Sequence, residues 1–106
     1  MPFNKIQKDV DDWVQQYKIE YFHPLAIITQ LSEEVGELAR EVNNRHGPRI
    51  KKSPEDTADM GKEIADSIFA LTCLANSQKI DLNKSWKSLI DKLYKRDKNR
   101  FEKKEN

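Results

Sequence analysis

No stretch of this chain approaches the roughly 18 to 20 consecutive apolar residues that span a bilayer, and the N-terminus carries no apolar segment of the secretion-signal kind. The sequence therefore predicts no membrane span and a cytoplasmic location. A single cysteine, Cys73, allows no internal disulfide; it sits in the most apolar run of the chain, Ser67 to Ala75, where it reads as a small packed hydrophobe. Glycine is scarce, at three residues, and prolines number four. There is no glycine-rich phosphate loop, no G-x-S-x-G and no Cys-His pair, so P-loop and nucleophilic hydrolase chemistries find no support. Alternation of β-branched residues is absent too, which leaves helix as the default. Nor does one sign of charge prevail: 19 Lys and Arg stand against 18 Asp and Glu, a formal net charge of +1. That balance argues against nucleic acid as a stable partner.

What the chain has in quantity is charge, 35% of residues, alongside 37% hydrophobic residues, within 106 positions. This predicts one all-α domain over 1–106, a four-helix bundle with a frayed tail from about residue 102. The domain is small enough that self-association would help bury its apolar faces. Helix one is expected from about Asn4 to Lys18, with Ile6, Val10, Trp13, Val14 and Tyr17 recurring at steps of three and four. Pro24 suits a first helical turn and disfavours helix at His23, so helix two starts there and runs to Asn43 or Asn44. Helix three is expected from Pro54 to Asn76 with Ser53 as its cap, and helix four from Leu82 to Arg100 with Asp81 as cap.

The chemistry concentrates in two acidic pairs, Glu34 with Glu37 and Glu63 with Asp66, each at i, i+3 spacing. On a helix that spacing puts both carboxylates on one face, one turn apart. Ile28, Leu31, Val35, Leu38 and Val42 form a stripe that the first pair borders, and a run apolar on nearly every side follows Asp66. Two such pairs drawn together at the edge of a core would raise their own pKa values or recruit a cation. All-oxygen ligands select hard ions, here Mg²⁺ with Mn²⁺ able to substitute. Glu20-Tyr-Phe-His23 spells the E-x-x-H of di-iron bundles, but it straddles the break at Pro24 and has no second copy, so that reading is rejected. Gly36, in mid-helix, reads as a place where another helix or a ligand approaches closely.

Glu33-Glu34-Val-Gly-Glu37 followed by Glu63-Ile-Ala-Asp66 resembles the E-E-x-x-E … E-x-x-D signature of the MazG-like, all-α nucleoside triphosphate pyrophosphohydrolases. Tyr21-Phe-His-Pro-Leu25, Leu74-Ala-Asn76, and Lys92, Arg96 and Arg100 extend the resemblance over about Val10 to Phe101. It implies cleavage of an NTP or dNTP to the monophosphate and pyrophosphate, with Glu34, Glu37, Glu63 and Asp66 as metal ligands. Glu33 or Glu37 would orient or deprotonate the attacking water. It also implies a homodimer or dimer of dimers. Lys92, Arg96 and Arg100, one cationic stripe, would meet phosphate oxygens, as would Lys62; alone each reads equally as solvated charge. For the nucleoside, Trp13, His23 and Asn76 are candidates, against core, aromatic-elbow and helix-end roles respectively. The basic loop from Arg45 to Ser53 reads as a solvated connection or as a lid. The alternative for the whole chain is a non-catalytic helical interaction module, whose acids are surface charges.

Overall fold

The structure, a computed structural model, describes residues 2–46 and 54–105, with 54–59 described by backbone only. Most of the expected basic loop, the Ser53 cap and the side chains of Glu55 and Asp56 lie outside the described residues. Four helices and no strand occur among those described: α1 (Pro2–Val14), α2 (Pro24–His46), α3 (Pro54–Ser77) and α4 (Leu82–Arg96). The sequence expectation overran α1 and α4 at their C-terminal ends. After Val14 the chain tightens into turns, with Tyr17 N–H donating to the Val14 carbonyl at 3.1 Å, and Asp97 caps α4.

The helix ends follow from local chemistry. His23 Nδ1 accepts from Leu25 N–H at 3.1 Å, so the residue that Pro24 keeps out of the helix caps it instead. Asp81 caps α4 as expected, its carboxylate accepting from Asn83 N–H at 2.9 Å. Past α3, Lys79 takes φ 56° while Ile80 N–H reaches back to the Ala75 carbonyl at 2.9 Å, the six-to-one closure that favours a left-handed residue between.

α2 and α3 pack as an antiparallel pair, α1 lies along the C-terminal half of α3, and α4 docks on α1. The core gathers Val10 and Val14 of α1, Ile27 of α2 and Cys73 of α3, with Tyr21 and Leu74 packed against them. A polar clasp binds the same elements: Gln7 Nε2 donates to Asn76 Oδ1 and to the Ile80 carbonyl, both at 2.8 Å. Asn76 Nδ2 in turn donates to the Gln7 carbonyl and to the Tyr21 hydroxyl, which donates to Asp11 Oδ1 at 2.6 Å. α4 is tied to α1 by Asn83, which accepts from Phe3 N–H and bonds Asn4, and by the stacking of Trp86 on Phe3 at 5.5 Å.

Two expectations about packing are corrected, at the α2 stripe and at Trp13. The α2 stripe of Ile28, Val35 and Val42 is not core: these side chains are 46%, 49% and 41% exposed. The face turned to α3 is rotated by one residue and runs Ile27, Leu31, Glu34, Leu38, Glu41, so the acids stand within the seam rather than beside it. Trp13, expected in the core, is half-exposed, and the Ile64, Ile68, Leu71 flank of α3 is open as well. At Gly36 an added Cβ would meet nothing within 4 Å, so no close approach inside the chain requires glycine there. The radius of gyration, 17.4 Å, exceeds the roughly 13 Å of a compact domain of this length. The helices leave much of their apolar surface uncovered.

Because lysine at positive φ carries a Cβ clash that glycine lacks, Lys79→Gly is expected to raise unfolding stability by about 1 kcal/mol in denaturant titration. An unchanged midpoint would mean that the left-handed turn is not strained.

Candidate metal centre

Glu34 and Glu37 on α2 and Glu63 on α3 each bring a carboxylate oxygen to one place, all within 4.8 Å of one another. Antiparallel packing does this: the turn of α2 holding Glu34 and Glu37 faces the turn of α3 holding Glu63. The Glu63 side chain is only 12% exposed. One oxygen each of Glu34 and Glu63 is buried and has no hydrogen-bond partner among the described residues. Burial first, then protons shared with Glu37 and Glu34 and the charge of Glu37, push the Glu63 carboxyl up to about 7, against the pull of Lys62. Oxygens at these separations span the diameter of a hard cation with metal–oxygen distances of about 2.1–2.5 Å. The residues fit such an ion on chemistry as well as on spacing, since Glu34 Oε2 and Glu63 Oε2 are buried with no hydrogen-bond partner among the described residues and the one cation beside the cluster, Lys62, approaches only the other Glu63 oxygen, at 3.9 Å.

The fourth expected ligand stands apart. Asp66 lies one turn along α3 from Glu63, and its carboxylate is held by Lys62 Nζ at 3.1 Å, with Lys62 also 3.9 Å from Glu63. The pairing with Asp66 raises the Lys62 pKa, so the ammonium stays charged beside the cluster. Glu33 is exposed, one position before Glu34. Glu41 Oε2 is also buried without a hydrogen-bond partner among the described residues, one turn beyond Glu37.

One turn of α2 before Glu34, at Gln30, begins the wall of a cavity of about 380 Å³, between the start of α2, the C-terminal half of α3 and the end of α1. Trp13, Tyr17, Phe22 and Phe69 are among the aromatic side chains that wall it, with Ile27 below and Gln30 on the side towards Glu34. Trp13 meets Tyr17 at 5.1 Å and Phe69 edge-on at 5.8 Å. Of the three nucleoside candidates only Trp13 lines this cavity. His23 is engaged as the α2 cap, and the Asn76 amide is spent on Gln7 and Tyr21. Tyr17, Gln30 and Phe69 were missed. The signal for Gln30 was present, because Ile27, Gln30, Glu34, Glu37 and Glu41 recur at steps of three and four.

The cationic stripe is not brought to the carboxylates within the chain. α4 docks on α1 and, among the described residues, has no substantial packing against α2 or α3. Arg96 pairs with Asp97 at 3.2 Å, and Arg100 lies over the Phe101 ring at 5.1 Å.

An all-α protein with facing glutamates across a helix pair, beside an aromatic cavity, is a candidate metal-dependent hydrolase. Comparison with known proteins gives the family. Residues 22–101 match the MazG nucleotide pyrophosphohydrolase domain, and the chain belongs to that family of hydrolases. It is 48% identical over 100 residues, 94% of this chain and 90% of the relative, to the uncharacterised protein YpjD of Bacillus subtilis (strain 168). Among solved structures it is similar to the putative pyrophosphatase YpjD from Bacillus subtilis, at 47% identity and TM-score 0.77, covering 84% of this chain and 91% of that one. It is also similar to the Bacillus-conserved MazG protein, a nucleotide pyrophosphohydrolase, at 38% identity and TM-score 0.74, covering 85% and 86%. No helix among the described residues is long and apolar enough to cross a membrane.

The cluster makes a signed prediction for the metal-free protein. The folded-state pKa of Glu63, about 7, lies above its ordinary 4.5, so the folded state holds the proton more tightly than the unfolded chain. That stabilisation is full below about pH 4.5 and is lost as the pH rises through 7. With chelator, the melting temperature should fall across this window. The stabilisation gained from a divalent cation should grow over the same window, because cation and proton compete for the same oxygens. Glu63→Gln should flatten both trends; trends that persist in that variant would assign them to another group.

Proposed function

We propose that this chain is a Mg²⁺-dependent nucleoside triphosphate pyrophosphohydrolase, converting an NTP or dNTP to the monophosphate and pyrophosphate. It would serve to clear nucleotides from the cytoplasmic pool. The observation that carries this reading is the pair of buried carboxylate oxygens, on Glu34 and Glu63, that no hydrogen bond among the described residues satisfies. Buried anions without partners are costly unless a cation joins them. An interaction module accounts for the exposed apolar faces but gives no reason to collect these oxygens.

Glu34, Glu37 and Glu63 would hold Mg²⁺, with Mn²⁺ able to substitute, and Asp66 would join them once Lys62 turns away. Held by these carboxylates, a divalent cation would neutralise triphosphate charge and acidify a water. In the reaction the water oxygen bonds the α-phosphorus as the bond from that phosphorus to the αβ-bridging oxygen breaks. The electron pair leaves with pyrophosphate. A carboxylate takes the proton of the water; Glu37, whose carboxylate stands with those of Glu34 and Glu63, is better placed for this than Glu33, which is outside the cluster. Lys62, released from Asp66, is the nearest cation for a phosphate oxygen. The cavity beside the cluster takes the base, stacked on Trp13 and its aromatic neighbours.

Lys92, Arg96 and Arg100 reach the phosphates from a second copy of the chain, because their own α4 leads away from their own carboxylates. The same association covers the open flanks of α2 and α3, in a homodimer or a dimer of dimers. Light scattering should return two or four times the chain mass; a monomer at micromolar concentration would contradict the shared site.

The reaction is tested by product analysis over a panel of ribo- and deoxynucleoside triphosphates. Monophosphate and pyrophosphate should appear with Mg²⁺ and not with chelator. Glu63→Gln should lower turnover by about 100-fold or more and abolish the Mg²⁺-induced rise in melting temperature together. Orthophosphate as the first product, or full activity in that variant, would overturn the reading.

A further inference from the structure

We propose that Gln30 is the residue that reads the base, by hydrogen bonds from its amide to the donor and acceptor edge of the ring; this rests on the hydrolase reading above. The argument begins with the cavity wall. It is aromatic and aliphatic apart from the carboxylate of Glu20, the amide of Gln30, the hydroxyls of Tyr17 and Tyr21 and the indole N–H of Trp13, and among the described residues no lysine or arginine lines it. Phosphate therefore has no counter-charge there and meets a carboxylate, so the uncharged end of a nucleotide is the part that enters. Of these groups, Tyr21 is committed: its hydroxyl donates to Asp11 and accepts from Asn76. Tyr17 offers a single hydroxyl oxygen and Trp13 a donor only. Glu20 is an acceptor only. Gln30 alone offers a donor and an acceptor side by side, and its amide makes no hydrogen bond among the described residues.

Register supplies direction. Ile27, Gln30, Glu34 and Glu37 occupy one face of α2 at steps of three and four, so along that face the surface changes from buried hydrocarbon to amide to carboxylate. One helical turn, about 5.4 Å, separates Gln30 from Glu34. That is the order a nucleoside triphosphate needs, with ring against aromatics, ring edge at the amide and phosphates at the carboxylates. Each base carries a hydrogen-bond donor beside an acceptor on its pairing edge, and an amide matches it with two parallel bonds. The ligand is thus an intact nucleoside, and a bare polyphosphate forfeits this part of the site.

The test uses Gln30→Leu and Gln30→Glu in the full chain, with two readouts: kcat/KM over the four ribonucleoside triphosphates, and calorimetric binding of the four monophosphates. Leucine keeps the volume and removes the edge contact, so binding of the preferred base should fall about tenfold and the ranking among bases should flatten. The Mg²⁺-induced rise in melting temperature should remain. Glutamate accepts only, and it should shift the ranking towards guanine, whose N1–H and amino group donate in parallel. A ranking that neither variant alters in either readout overturns the assignment, whether or not the wild type turns over. Absent turnover with a Gln30-dependent binding ranking overturns only the hydrolase reading, and a wild type that neither binds nor hydrolyses overturns both.

Discussion

Everything in this fold is arranged around a repulsion that the folded chain does not resolve by itself. Glu34 and Glu63 are pressed into the seam between α2 and α3, with Glu37 at its open edge, where neighbouring positions such as Ile27 and Ala70 are filled by apolar side chains. A helix pair optimised for stability alone would carry leucine at those positions, since well-packed apolar residues commonly replace buried charge at no loss. Here the buried oxygens are left wanting, and Glu63 compensates by holding a proton near neutral pH. The rigid part of the molecule lies to one side of this strain: Val10, Val14, Ile27 and Cys73 pack at the end of α3 remote from its start, and the Gln7–Asn76–Tyr21 clasp locks α1 there. The seam is thus held in register by contacts that do not depend on the carboxylates.

The second constraint is cover. A chain with so few buried side chains, an extent of 52 × 40 × 23 Å and open isoleucine, leucine and valine flanks on two helices has not finished burying its surface. Its α4 is anchored to α1 through Asn83 and Trp86 and projects an apolar row, Trp86, Leu89 and Leu93, that its own chain leaves half-exposed. The same helix carries the cations that the carboxylates lack. One association of copies would answer both deficits, and in the proposed shared site it would serve the chemistry as well as stability.

The helical class, the order of the helices, the cap at Asp81 and the coming together of Glu34, Glu37 and Glu63 were all legible in the sequence, because each depends on local spacing or on a single turn residue. The rotation of α2 was not. Periodicity picked the most apolar stripe, Ile28 to Val42, and assigned it to the core, whereas the chain buries the stripe one residue round, which includes two glutamates. A hydrophobic pattern states which face is apolar and is silent on whether that face is covered within the chain or by another molecule. The polar clasp was invisible for a different reason: it links Gln7 to Asn76 and Ile80, some 70 positions apart, and no local spacing encodes it. Asn76 looked available for a ligand because its partners are distant. Asp66 reads as a ligand from the motif, and the i, i+4 spacing of Lys62 and Asp66 already allowed the ion pair that holds its carboxylate in the folded chain.

The central claim is that the unsatisfied oxygens of Glu34 and Glu63 are the place of a divalent cation. Crystals grown with Mn²⁺ and measured at its absorption edge test it directly. The account predicts an anomalous peak coordinated by oxygens of Glu34, Glu37 and Glu63. Well-ordered carboxylates with no peak between them at millimolar Mn²⁺, or a peak bound elsewhere on the chain, would contradict it.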